Sequence, residues 1–331
     1  MWIGLTLYAL LAGADFGAGF WDLVAGGAQR GRRPRELLEE VIGPVWEANH
    51  VWLIFVLVLL WTGFPPVFAA VMSTLYIPLT LAALGIIARG AAFAFRKSSP
   101  EVWQRRLFGG AFAISSVLTP FFFGTVAGAI ASGRVPAGLA SGDLVTSWLN
   151  PTSVLGGLLA VGTCAYLAAT YLCHDAVRLG AVDLAEAFRR RAIIAGTVVG
   201  AVALGGIVVL RSDAPALFHG LTHRALALVI VSALAGLASV ALLATRRYRL
   251  VRLTAGLAVT AVVWGWAVAQ YPSMLPPGLD YREAAADPAV LGSVLLVSAI
   301  GAVVLLPSLA WLLVLFSSDR SRENVPDGHP S

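Results

Sequence analysis

Long apolar runs alternate with short polar stretches over almost the whole chain. Cutting at the polar stretches leaves nine apolar segments, near 2–26, 48–64, 67–95, 108–131, 153–174, 192–210, 225–245, 250–271 and 290–316. Most are close to the roughly 20 residues that a helix needs to cross a hydrocarbon core about 30 Å thick. None shows the two-residue alternation of a membrane strand, and only helices or closed barrels satisfy backbone groups in lipid. The pattern therefore predicts an all-α polytopic membrane protein of about nine transmembrane helices. Pro65-Pro66 marks a tight turn between the second and third segments. Pro78 and Pro120 fall inside segments and are expected to kink them. Gly13/Gly17, Gly124/Gly128 and Gly196/Gly200 are small pairs suited to close helix contact.

Charge refines this picture. Arg30, Arg32, Arg33 and Arg35 follow the first segment; Arg96, Lys97, Arg105 and Arg106 the third; Arg178, Arg189, Arg190 and Arg191 the fifth; Arg246, Arg247, Arg249 and Arg252 the seventh; Arg320 and Arg322 lie in the tail. The other loops hold only Arg134, Arg211, Arg224 and Arg282. Basic residues thus gather on alternate loops, which places the N-terminus outside and the C-terminus in the cytoplasm of a bacterial inner membrane. Trp21, Trp46, Trp103 and Trp311 are expected at the inner boundary, Trp61 and Trp148 at the outer one. The first segment lacks a basic leader and carries Asp15 in its middle, so it reads as a retained spanning helix rather than a signal peptide. The net charge of +5 is explained by loop placement and does not call for nucleic acid. With 58% hydrophobic and 12% charged residues, a soluble globular class is excluded.

Candidate chemistry lies in the polar residues that the apolar runs enclose, because charge in lipid is costly. Asp15 lies about 15 Å deep if its helix ends near Ala25. A carboxylate there must be paired, hydrated or protonated; it suits either a proton carrier or a structural tie between helices. Asp22 falls on roughly the same face. In Gly43–Ile54 (GPVWEANHVWLI), Glu47 and His50 are three apart and Trp46 and His50 four apart, so they share one helix face. Such a pair suits proton uptake; it equally suits a helix opened by Pro44 whose dipole Glu47 favours. Arg89 has three open options: pairing with Asp15, pairing with Glu47, or snorkelling to the interface. His219 and His223 have metal-ligand spacing but fall in an outer loop. Facing haem ligands are not evident among the five histidines, so no haem and no metal is expected in this chain. Cys164 and Cys173 read as packing residues.

Gly13–Gly19 (GADFGAG), Gly43–Ile54, Arg89–Arg96, Ser116–Gly128 (SVLTPFFFGTVAG) and the Tyr-Pro opening of the last outer loop resemble subunit II of the bd-type quinol oxidases. The resemblance implies two four-helix bundles plus one peripheral helix: 1–131 and 153–271 as bundles, 132–152 and 272–289 as outer loops, 290–316 as the ninth helix and 317–331 as a polar cytoplasmic tail. It implies a heterodimer with a haem-bearing subunit I that holds haems b and d, oxidises quinol and reduces oxygen to water, all in membrane lipid. It assigns proton transfer to Asp15 and Glu47; spacing adds His50 beside Glu47, and placement makes Arg89 and Asp22 the candidate charge partners. Trp46, Asn49, Trp52 and Pro120 belong to its motifs. Some members hold a structural quinone, for which no pocket is assigned here. Ala14 stands where the family usually has Phe, and Ala94 where an acid is often found. Two readings compete. A proton-coupled secondary transporter calls for paired broken helices in related halves, which Pro78 and Pro120 do not provide. An assembly scaffold would need neither acid for turnover.

Overall fold

The computed structural model describes residues 1–27, 29, 31–42, 46–99 and 101–323. Arg30, Gly43, Pro44, Val45 and the tail from 324 lie outside the described residues, as do the side chains of Trp46, Glu47, Lys97, Arg320 and Arg322. The chain forms α1 (Trp2–Leu23), α2 (Arg32–Ile42), α3 (Trp46–Gly63), α4 (Pro65–Thr74), α5 (Tyr76–Ser98), α6 (Val102–Ala131), α7 (Pro151–Arg178), α8 (Val182–Asp213), α9 (Pro215–Thr222), α10 (Leu226–Ala244) and α11 (Tyr248–Gln270). A two-residue-wide hairpin, β1 (Ser273–Leu275) with β2 (Leu279–Asp280), and α12 (Tyr281–Ala284) complete the unit that ends at Ala284. A second unit, from Ala285, carries α13 (Pro288–Glu323), whose stretch Pro288–Leu305 is apolar enough to span. Among the described residues eight helices are long and apolar enough to cross a bilayer, or nine if the bent pair α3–α4 counts as one span.

Three departures from the apolar pattern have physical causes. The stretch after α1 is not a plain loop: RRPRELLEEVI forms α2, whose Leu37 and Leu38 are buried against Ala168, Leu172 and Phe188 while its arginines face outward or pair. The third segment is broken at Leu75, because Pro78 has no N–H to return to Thr74. Pro78 thus sits in the first turn of α5 and starts a helix instead of kinking one, whereas α6 continues through buried Pro120. Trp21, near the end of α1, packs inward instead of lying on the surface: it is 8% exposed and its indole Nε1 donates to the Ala165 carbonyl at 2.8 Å.

The elements recur in order. α4 follows Phe64 (φ −140°, ψ 61°) and α9 follows Ala214 (φ −139°, ψ 62°); each opens on proline. Each is followed by a buried residue of similar φ, Leu75 at −103° and Ala225 at −104°. One constant interval separates Phe64 from Ala214 and Leu75 from Ala225. Applied to the rest, it lays α1 on α7, α5 on α10, and α2 with α3 on the single helix α8. Pro78 and Pro120 have no proline counterparts, since Leu228 and Gln270 stand at that interval, but the breaks before α4 and α9 do recur. The second of these breaks falls after the end of the spanning helix α8.

Packing centres on α1, which touches α3, α6, α7 and α11. It gets close because it lacks side chains where it crosses α7: a Cβ on Gly17 would sit 1.8 Å from the Cys164 carbonyl oxygen. The α6–α7 crossing uses the same device, with Gly124 against the Gly156 carbonyl. Both cysteines are buried packing residues; Cys173 Sγ donates to the Ala185 carbonyl at 3.3 Å.

Candidate functional site

α1 and α5 hold the main polar feature of the interior. Asp15 is 5% exposed and Arg89 1%, which makes Arg89 the bulkiest fully buried side chain among the described residues. Arg89 Nη1 donates to Asp15 Oδ2 at 2.8 Å and Nη2 to Oδ1 at 2.7 Å. Nη2 also reaches the Asp15 carbonyl at 3.1 Å, and Nε donates to Ser116 Oγ at 2.9 Å. The guanidinium is covered by aromatic rings, Phe16 at 5.0 Å and Phe112 at 4.7 Å from their centroids. A planar fork matched to a carboxylate, stacked on two π faces, is a geometry that lysine does not reproduce. Of the options left open for Arg89, pairing with Asp15 is the observed one; snorkelling is ruled out by its burial.

Asp22 forms a second node about two helical turns nearer the end of α1. It is 6% exposed and takes Arg35 Nε at 2.5 Å and Arg96 Nη1 at 2.9 Å. Its partners are thus the basic residues flanking the helices, and Arg35 ties the start of α2 to α1 through Asp22 and the Gly26 carbonyl.

α3 brings the remaining motif residues to α1. His50 packs with ring centroids 6.3 Å from Tyr8 and 6.1 Å from Phe16, and lies within the electrostatic reach of Asp15 and Arg89. Asn49 is buried and donates to the Leu11 carbonyl at 3.4 Å. Trp52 packs on the cluster of Tyr8, Ala12, Phe16 and Cys164. The structure thus unites Asp15, Arg89 and His50, while the contacts of Glu47 and Trp46 lie outside the described side chains.

Sequence reasoning missed Ser116, Phe16 and Phe112 as the setting of Arg89, although Ser116 and Phe112 are four apart on one face of α6. It also missed the counterpart of the pair. At the same interval that relates the two halves, Phe16 corresponds to Tyr166 and Arg89 to Ser239, and Tyr166 Oη donates to Ser239 Oγ. Ser239 is 0% exposed. Asp15 itself corresponds to Ala165, so the second half bridges the neighbouring position of its first helix, through neutral hydroxyls, to the position that holds Arg89 in the first half.

Four of the five histidines lie among the described residues, and each packs or hydrogen-bonds within the chain. The rings of His219 and His223 lie 3.9 Å apart, against each other. His174 is engaged by Asp175 at 3.2 Å and Arg252 at 3.3 Å, and His50 by aromatic rings. No group of three or more metal-ligating side chains gathers among the described residues.

Comparison with known proteins agrees with the fold and extends it. The chain is 29% identical over 158 residues to "Cytochrome bd ubiquinol oxidase subunit 2" of Bacillus subtilis (strain 168), covering 47% of this chain and 46% of that one. It is 28% identical over 179 residues to "Cytochrome bd-I ubiquinol oxidase subunit 2" of Escherichia coli (strain K12), covering 51% and 46%. These matches span less than half the length of either relative. A longer match, 22% identical over 332 residues, covers 97% of this chain and 94% of "Putative cytochrome bd menaquinol oxidase subunit II" of Bacillus subtilis (strain 168). Among solved structures, "The structure of bd oxidase from Geobacillus thermodenitrificans" contains a chain of the same fold. The TM-score is 0.75 at 23% identity, with 95% and 96% of the two chains covered. The family model described as cytochrome bd terminal oxidase subunit II matches residues 1–316, so this multi-pass membrane chain belongs to that family.

Proposed function

We propose that the chain is the second subunit of a bd-type quinol:oxygen oxidoreductase. In this reading it stabilises a subunit I that carries haems b and d, oxidises quinol and reduces oxygen to water. The haems supply the redox chemistry there, and no step in this chain runs through one. The N-terminal end of α1 faces outward and the tail lies in the cytoplasm, so Asp22, Glu47 and the basic loops line the cytoplasmic end.

The chain's own contribution is a route for protons. Glu47 receives a proton at the mouth of α3 and passes it to His50 on the same helix face. Asp15 takes it up when one arm of the Arg89 fork opens, so Arg89 sets when that carboxylate is available. The observation that carries this reading is a carboxylate–guanidinium pair, nearly inaccessible, between spanning helices and beside His50.

The test is the complex purified with its haem-bearing partner. Asp15→Asn and Glu47→Gln are expected to cut quinol-driven oxygen consumption about a hundredfold, with the haem absorption bands unchanged. Full turnover in both variants would refute the route, and porphyrin bound to this chain purified alone would refute the division of labour. The bidentate geometry favours one second reading, Asp15 as a structural tie. On that reading haem content and turnover fall together.

A further inference from the structure

The ends of α7 and α10 and the start of α11 enclose an open cavity of about 560 Å³, lined by Arg178, Arg246, Arg247, Arg249, His174 and Tyr248. That volume is within the roughly 300–1,000 Å³ of small-ligand pockets. Basic loops at span ends set topology whatever else they do. Three features go beyond that role.

The first is charge balance. The nearby acids are already engaged: Glu186 by Arg189 at 2.5 Å, and Asp175 by His174 at 3.2 Å and Arg252 at 3.7 Å. Arg246 reaches Glu186 only at 3.6 Å. Among the described residues, no carboxylate lies within 4.0 Å of Arg178, Arg247 or Arg249. The second is backbone placement. α10 closes with Arg246 N–H on the Leu243 carbonyl and Arg247 N–H on the Leu242 carbonyl, and Arg246 has φ +60°. Glycine is the unstrained residue at that position, yet an arginine occupies it. The third is an apolar track. Leu250, on the rim, is 47% exposed; Leu253 and Leu257, on the same face of α11, are 71% and 51% exposed. The track leads from the cavity along a spanning helix.

An anionic head joined to apolar tails matches all three features. We propose that this cavity seats the phosphate of an anionic phospholipid, with its acyl chains along Leu250, Leu253 and Leu257. Arg178, Arg247 and Arg249 supply the charge. The site is independent of the proton route and of the redox partner's identity.

The test uses the delipidated membrane complex in detergent and titrates three probes: phosphatidylglycerol, phosphatidylcholine and inorganic phosphate. Binding is read by native mass spectrometry and by the shift in melting temperature. Phosphatidylglycerol is expected to bind at least about tenfold more tightly than phosphatidylcholine. The triple variant Arg178→Gln, Arg247→Gln, Arg249→Gln should lose that preference, and the corresponding triple lysine variant should keep most of it. A variant with equal charge loss elsewhere, Arg32→Gln, Arg106→Gln, Arg322→Gln, should also keep it. Equal losses in the two glutamine triples would reduce the effect to diffuse charge and overturn the site. Displacement of the lipid by inorganic phosphate at equal concentration would mark a free-anion site and overturn the lipid assignment.

Discussion

Arg89 holds Asp15 with both terminal nitrogens, at 2.7 and 2.8 Å, where α1 and α5 are closed to solvent. Such a pair contributes through what its loss would leave behind. Removing one partner strands the other charge in a medium that does not solvate it, at a cost of about 3–5 kcal/mol, while removing both leaves no uncompensated charge. Arg89→Gln alone is therefore expected to lower the melting temperature of the purified complex more than Arg89→Gln with Asp15→Asn. Thermal unfolding of the three proteins checks this. Equal melting temperatures for the single and double variants would show that the two charges are not coupled.

The neutral bridge in the second half makes a graded comparison. Tyr166→Phe and Ser239→Ala each remove one hydroxyl from a buried hydrogen bond, worth about 0.6 kcal/mol on average between membrane helices. Each should cost much less than Arg89→Gln, and the two together little more than one alone. A double-mutant cycle on unfolding midpoints measures the coupling.

Two glycines should respond oppositely to alanine. Gly17→Ala would place a methyl 1.8 Å from a backbone carbonyl that has no rotamer with which to move aside, forcing α1 from α7. The expected loss is about 1–3 kcal/mol or more. At Gly200 nothing lies within 4 Å, so alanine should be neutral or add about 0.5–1 kcal/mol through helix propensity. Melting temperatures of the two variants decide it.

The loop between α6 and α7 should respond to acid. Asp143 accepts from the Thr146 and Val145 amides and the Thr146 hydroxyl, and these bonds hold its carboxyl below the ordinary aspartate range. A folded value below the unfolded one stabilises the loop above the unfolded value; that contribution fades as pH falls through the folded one. Hydrogen exchange at Val145 and Thr146, corrected for intrinsic rates, should lose protection over that acidic interval. Asp143→Asn should flatten the response.

The spans were legible because their length and the alternation of arginines are separate physical requirements that agree. The short helices were not. α2 has too few apolar residues to register, and its two leucines become informative only once α7 and α8 supply a surface to bury them. α4 and α9 are shorter than a span and merge with their neighbours in any apolar count. The repeat was hidden because what recurs is backbone shape and burial, as with Leu75 and Ala225, while chemistry diverges from Arg89 to Ser239. Asp15 was legible as an isolated acid in lipid. Its partner was one of three options, since nothing in the chain order says which side chain a distant arginine meets.

The position of α1 among α3, α6, α7 and α11 bears on how the molecule is made. α1 emerges from the ribosome ahead of nearly all its neighbours, and Asp15 precedes Arg89 by 74 positions. Until α5 is made, the nascent chain holds Asp15 without its arginine partner. A stall before Arg89 would leave a fragment suited to disposal by quality control. Completion of α5 converts the same acid into the contact that commits the early helices to one another.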